Sequence, residues 1–320
     1  AEVSRLAAGL QAIGLRAGQN IGIMARTSQR WEYLQMAVLM SGGIIVGMDP
    51  HDRKENVNEI ASRAALTGLI LENSGLLDKI TDQVFRNFRF VVSMAEASPD
   101  EAAQLDNAAK KVALLKDIVA EGSRHAGPAV IQSKEKGPAT IIFTSGTTGA
   151  PKGIMYTHEQ VILACRSLLK NFDDIREGSA QVCWLPLSNL FQRMVNFCAI
   201  IIGASTYFVG NPQEIIKHLP SINPHVFIGV PRFYEKLYSG MAEEIEKKPP
   251  WIRALVKWSF KIGADYAAAL RQKKNPGFST RVAHAALDPL VLKRLRQVLG
   301  RNLKYMISGS APMPRWLLER

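Results

Sequence analysis

The stretch Thr144-Ser-Gly-Thr-Thr-Gly-Ala-Pro-Lys-Gly153 is made of residue types that a packed core does not use. Gly146 and Gly149 let the backbone turn its N–H groups inward. The hydroxyls of Thr144, Ser145, Thr147 and Thr148 add donors without bulk, and Lys152 adds a positive charge. That combination suits a polyphosphate. A β-hairpin turn is the other reading, but so long a run of small turn-formers followed by Pro-Lys-Gly exceeds what a connection needs. The segment is not a Walker loop: Pro151 precedes Lys152 where GxxxxGK[ST] has glycine, and Gly153 follows where it has Ser or Thr.

Three more segments carry polar or turn residues where apolar runs end. Trp184-Leu-Pro-Leu-Ser-Asn-Leu-Phe-Gln-Arg193 reads as a proline-broken strand entering a helix. Pro224-His-Val-Phe-Ile-Gly-Val-Pro-Arg-Phe-Tyr-Glu-Lys-Leu237 is a buried strand ending in Val-Pro-Arg before a helix, and its His225 reads as structural. Tyr305-Met-Ile-Ser-Gly-Ser-Ala-Pro312 is a strand followed by a turn.

Thr144 to Gly153 resembles the phosphate-binding signature of the adenylate-forming (AMP-binding) superfamily, and Tyr156-Thr157-His158 follows as the family's threonine-histidine pair does. The other three segments match further family signatures in the same order. The segments from Trp184 and Pro224 are similar to their long-chain acyl-CoA synthetase forms. The resemblance implies ATP, Mg²⁺ and CoA as cofactor or co-substrates and a fatty acid or other carboxylate as substrate. It places Thr144 on the metal and Ser145, Gly146, Thr147, Thr148, Gly149 and Lys152 around the phosphates. Gly309, Ser310 and Ala311 would pack the adenine. Asn189, Phe191, Arg193, Val230 and Pro231 would line the acyl pocket. Asn189 stands where a histidine is common, and its amide does not titrate near neutral pH.

The implied activity is carboxylate activation to acyl-AMP followed by thioester formation with CoA. An adenylation domain that loads a carrier protein, or part of a carboxylate reductase, stays open within the superfamily. The resemblance also implies that the family's catalytic lysine and glutamate, and its C-terminal lid domain, lie beyond Arg320. On that reading the chain is a truncated large N-terminal domain, inactive alone.

These motifs need a scaffold. Helical periodicity alternates with short apolar runs from the start: a helix with Leu6, Leu10 and Ile13 closed by Gly18, a strand at 21–24, a helix capped by Ser28, and a strand at 44–48. A turn at Asp49-Pro50, a helix through Val57, Ile60 and Ala64, and a strand at 68–71 follow. This predicts an α/β fold of parallel-sheet subdomains with flanking helices. A strand is expected at Val91-Val92, a helix near 109–118, loops at 98–100 and 121–128, and a strand at 139–143. Subdomains are expected at 1–135 and 136–320.

The chain has 320 residues, and its 47% hydrophobic content exceeds what disordered or fibrous sequences carry. Cys165, Cys183 and Cys198 have no CxxC spacing and read as buried reduced thiols of a cytoplasmic protein. The formal charge of +12 invites polyanions. A nucleic-acid or other non-catalytic nucleotide-binding module would show a basic stripe interleaved with aromatics. Here the charges are scattered, so no nucleic-acid partner is expected. One helix, 251–271, gathers Trp251, Leu255, Trp258, Ile262, Tyr266 and Ala269 on one face and Arg253, Lys257, Lys261 and Arg271 on the other. It reads either as a surface helix packed on the core or as a peripheral contact with the inner, anionic face of a membrane.

Overall fold

The computed structural model describes residues 1–95, 111–124, 135–145 and 150–318, with the backbone alone for Ser145, Leu295 and Arg296. The chain forms two compact units: Ala1–Asp174 with Trp184–Cys198, and Ile175–Cys183 with Ala199–Arg320.

In the first unit the elements run α1 (Glu2–Ala12), β1 (Asn20–Met24), α2 (Gln29–Met40), β2 (Ile44–Met48), α3 (Lys54–Arg63), β3 (Gly68–Leu71), α4 (Asp82–Phe85), β4 (Phe90–Ser93), β5 (Val112–Leu114), α5 (Leu115–Arg124), β6 (Pro138–Ser145), β7 (Pro151–Thr157) and α6 (His158–Leu169). The strands build one sheet in the order β5-β4-β3-β1-β2-β6-β7. Every pairing is parallel except β6 with β7. The central strands β1 to β4 are buried along nearly their whole length, which is why they read as continuous apolar runs rather than alternating ones. Ser28 caps α2 as expected, its Oγ accepting the Trp31 N–H at 3.2 Å. α1 ends at Ala12, earlier than Gly18 suggested; Gly14 and Gly18 both take positive φ in the turn to β1.

The helix expected near 109–118 starts later. Val112–Leu114 instead pairs with β4 as an edge strand, and α5 continues through Arg124, across part of the expected loop. Gly122 had suggested that loop, yet its role is contact. A Cβ there would lie 1.8 Å from the Arg5 carbonyl oxygen, and one at Gly9 would lie 2.0 Å from that of Ile118. The glycines let α1 and α5 touch backbone to backbone. The expected loop at 98–100 and residues 109–110 and 125–128 lie outside the described residues.

The units do not divide at 135/136. β6 pairs with β2 through Ile45↔Thr140 and Val46↔Ile141, so residues 138–145 extend the first sheet.

The second unit holds β8 (Ala180–Cys183), the end of α7 (Leu190–Ile202), β9 (Ser205–Phe208), α8 (Ile215–Ile222), β10 (Val226–Gly229), α9 (Pro231–Glu246), α10 (Pro250–Arg271), α11 (Phe278–Leu287) and β11 (Tyr305–Ser308). Its sheet, ordered β11-β10-β8-β9, is parallel throughout. His225 is structural, as expected: its Nδ1 accepts the Ala180 N–H at 3.0 Å, and its own N–H donates to the Ala180 carbonyl at 2.7 Å.

α10 buries Val256 and Ser259, not the tryptophan face. Trp251 stays 68% exposed and Trp258 52% exposed, while Arg253 and Lys257 turn toward Glu246 at 2.8 and 3.8 Å. Among the described residues no helix is long and apolar enough to cross a membrane.

Candidate functional site

β6 and β7 pair antiparallel, and the described ends of the glycine- and hydroxyl-rich run face each other in that ladder. Thr144 pairs with Lys152 and Ser145 with Pro151. Gly146, Thr147, Thr148 and Gly149 lie outside the described residues. Thr144 and Lys152 are both exposed at the mouth of the hairpin. Beside it opens a cleft of about 600 Å³ with Arg63, Phe143, Lys152 and Met155 in its wall. Of the two cationic side chains in that wall, Arg63 is paired with Glu59 at 2.9 Å, and Lys152 is the cation that can offer an anionic group a charge-assisted hydrogen bond. Sequence reading missed β7, whose only signal was the apolar run Ile154-Met155-Tyr156.

β7 ends at Thr157, which caps α6 by a reciprocal pair: its Oγ1 accepts the Gln160 N–H at 3.2 Å, and Gln160 Oε1 accepts the Thr157 N–H at 2.9 Å. His158 opens this helix, and partial burial holds its pKa below the usual imidazole value.

The segment from Trp184 crosses β2 closely. A Cβ on Gly47 would meet Ser188 Cα at 2.7 Å, so only glycine allows that crossing. Thr27 Oγ1 donates to the Leu185 carbonyl at 2.7 Å, and Gln192 Oε1 accepts the Trp184 and Leu185 N–H groups at 3.3 Å each. Asn189 is exposed in a turn, its N–H donating to the Pro186 carbonyl, and Phe191 is half-buried.

Arg193, expected at the acyl pocket, is fully buried inside the first unit. Its Nε donates to Gln35 Oε1 at 2.5 Å and its Nη1 to Thr140 Oγ1 at 2.8 Å, and the guanidinium carbon sits 5.4 Å from the Trp31 ring centroid. Gln35 Nε2 and Asn196 Nδ2 donate to the two carboxylate oxygens of Glu32 at 2.9 and 2.8 Å. Burial pushes the Glu32 pKa up, against the Asn196 hydrogen bond and the Arg193 charge that favour the carboxylate. Burial likewise lowers Arg193 to about 10, against the pull of Glu32. Sequence reading missed this network. Its signal was two polar residues, Glu32 and Gln35, set among Trp31, Leu34 and Val38 on the buried side of α2.

In the second unit, Gly229 pairs with Ser308, so Val230 and Gly309 emerge side by side at the carboxyl edge of a parallel sheet. Ligands of open α/β sheets bind at that edge. The Gly309 N–H donates to the Gly229 carbonyl at 3.3 Å. Val230 stands at the N-cap position of α9 with no side-chain capping bond, and Pro231 is the helix's first residue. Ser310 has φ +70°, a left-handed conformation that costs a serine energy and clusters at ligand-binding turns. Ala311 is exposed beside it. The Tyr234 hydroxyl donates to the Ile307 carbonyl at 2.9 Å, and burial raises its pKa.

The pattern of the family described as AMP-binding enzyme matches residues 1–320. A long-chain-fatty-acid–CoA ligase, FadD15, of Mycobacterium bovis (strain ATCC BAA-935 / AF2122/97) is 26% identical over 316 residues, covering 98% of this chain and 50% of that protein. The Homo sapiens long-chain-fatty-acid–CoA ligase ACSBG2 is 26% identical over 318 residues, covering 94% and 45% respectively. Among solved structures, the adenylation domain of a carboxylate reductase from Mycobacterium chelonae superposes with a TM-score of 0.71 at 19% identity, covering 99% of this chain and 47% of that one. The chain spans about half the length of the curated relatives it matches.

Proposed function

Because the chain belongs to the AMP-binding enzyme family, we propose that it supplies the ATP-holding part of an enzyme that activates a carboxylic acid and passes the acyl group to CoA. The observation that carries this reading is the hairpin mouth, where Thr144 and Lys152 face each other at the ends of a glycine- and hydroxyl-rich loop. The carboxylate oxygen attacks the α-phosphorus of ATP, pyrophosphate leaves, and the CoA thiolate then displaces AMP from the acyl-adenylate. Phosphate-loop residues position the nucleotide and offset its negative charge rather than react with it. Ser145 to Gly149 offer N–H groups and hydroxyls to the β- and γ-phosphates, and Lys152 offers its ammonium.

The Thr144 hydroxyl is a hard, neutral oxygen donor, which fits Mg²⁺, an ion that keeps most of its shell as water and phosphate oxygens. When bound, the ion supplies charge neutralisation at the phosphates. Gly309, Ser310 and Ala311 are proposed for the adenine; the Ser310 φ and the sheet edge support this. Asn189 and Phe191, and separately Val230 and Pro231, are proposed for the acyl group. The names of the relatives support a long-chain fatty acid.

The test is pyrophosphate exchange into ATP by the full-length protein, driven by carboxylic acids of graded chain length. Exchange with none of them would sink the reading. Supplying CoA or a phosphopantetheinylated carrier protein to the same preparation separates the ligase from a carrier-loading domain. A peripheral membrane contact through α10 is the finer reading of localisation, for a cytoplasmic protein. It is supported by exposed Trp251 and Trp258 beside Lys257 and Lys261.

A further inference from the structure

Arg193 sits in the first unit in a setting that burial alone makes costly. Its side chain is fully buried, and it shares that interior with Glu32, Gln35, Thr140, Gln192 and Asn196, each at most 6% exposed. Taking a guanidinium and a carboxylate out of water costs several kcal/mol per ion, and apolar residues of similar size often serve stability as well or better. Net stability alone is thus a weak account of such a network, and its endpoints are the backbone groups that it holds.

At one end, Arg193 Nη1 donates to Thr140 Oγ1, which itself donates to the Ile45 carbonyl of β2 at 2.8 Å. At the other end Gln192, bonded to Asn196 at 3.1 Å, accepts the N–H groups of Trp184 and Leu185. Glu32 and Gln35 on α2 join the two halves.

Thr140 is the informative end. It lies four residues before Thr144 on β6, and a strand repeats every two residues, so both side chains stand on one face. Immediately upstream the β6–β7 register is irregular: Pro138 pairs with Thr157, yet Thr140 pairs with Tyr156, two residues against one. The bulge breaks the ladder at one step, from Thr140 onward the pairing with β7 is regular, and a slip of one residue at that step would send Thr144 to the opposite face. The hydroxyl of Thr140, gripped from one side by Arg193 and from the other by Ile45, adds a side-chain anchor at the first regular pair after the bulge, where such a slip would begin.

We infer that Arg193, held by Gln35 and Glu32, is a positioning residue that pins the register of β6 through Thr140 and so fixes the face on which the phosphate loop leaves the sheet. This inference rests on the phosphate-loop reading above. It assigns Arg193 an effect on nucleotide engagement that it exerts without touching nucleotide.

The test uses the full-length protein and three variants, Thr140→Val, Thr140→Ser and Gln35→Met, with Lys152→Ala as the reference. Thr140→Val keeps shape and loses the hydroxyl; it is expected to raise the KM for MgATP about ten-fold while the carboxylate KM stays within about two-fold. Thr140→Ser keeps the hydroxyl and is expected to restore the parent value. Gln35→Met removes the Arg193 acceptor and is expected to show the same split, which decides the matter should Thr140→Val not fold. A merely structural role would lower the melting temperature and leave the two KM values in their parental ratio. An unchanged MgATP KM in Thr140→Val and Gln35→Met, with a raised one in Lys152→Ala, overturns this inference alone. A Lys152→Ala variant with both MgATP KM and kcat unchanged as well overturns the phosphate-loop reading on which it stands.

Discussion

Lys152 stands directly across from Thr144 in the register of the β6–β7 hairpin, so the lysine of the loop is fixed to its mouth by a backbone ladder rather than carried at its tip. A cation so placed loses less backbone freedom when it engages a phosphate than one on an unsupported loop. Lys152→Ala in the full-length protein is expected to raise the KM for ATP or lower kcat by roughly ten- to a hundred-fold, the size of one charge-assisted contact in a transition state. Steady-state kinetics at saturating carboxylate check it.

Glu32 gives the first unit a pH signature. Its folded-state pKa is raised by burial, so between the unfolded value near 4.5 and the folded value the native state binds more proton than the unfolded chain. Stability from this group is therefore greatest in acid and declines as pH rises above about 4.5. Glu32→Gln cannot titrate and is expected to lack that decline. Urea melts of both proteins between pH 4 and pH 8 decide it; parallel stability curves would remove Glu32 as the source.

The α1–α5 crossing tolerates no side chain at Gly122, where a Cβ would lie 1.8 Å from a backbone oxygen. Gly122→Ala is expected to cost about 1–3 kcal/mol or more, because backbone must move. Gly240, in α9, has nothing within 4 Å of a built Cβ. Gly240→Ala is expected to gain up to ~1 kcal/mol from helix propensity. Chemical denaturation of the pair is the check, and equal effects would mean that the crossing relaxes.

Membrane contact through α10 has a direct readout. Lys257→Glu with Lys261→Glu is expected to weaken sedimentation with anionic vesicles at low salt by about 1 kcal/mol per lysine and to leave neutral vesicles unaffected. Parent protein that stays in the supernatant with both vesicle types would end the proposal.

Much of the frame was readable because buried parallel strands leave a coarse trace: Ile21–Met24, Ile44–Met48 and Gly68–Leu71 are apolar runs with turn residues at their ends, and all three are strands. The capped helix start at Ser28 was readable for the same local reason. Gly122 misled, since glycine marks a loop and a tight helix crossing with the same letter. Arg193 was recognisable as special, but its surroundings were not: Gln35 is 158 residues away, and hydrogen bonds over such separations leave no local pattern. For α10, periodicity found an apolar face, yet Val256 and Ser259 turned inward instead, because which face packs depends on neighbours that no single helix encodes.

The first unit takes up residues 1–174, releases the chain to lay down β8, and takes it back for 184–198. A ribosome delivers α2 and its Glu32 and Gln35 long before Arg193 leaves the exit tunnel. At about 5–20 residues per second, the 158-residue separation of Gln35 and Arg193 takes on the order of ten seconds. Over that interval the nascent sheet holds a buried-side carboxylate and amide that have not yet met their cation. The first unit therefore cannot finish folding until part of the second has already been synthesised, and a break after Asp174 leaves α2 without its partner.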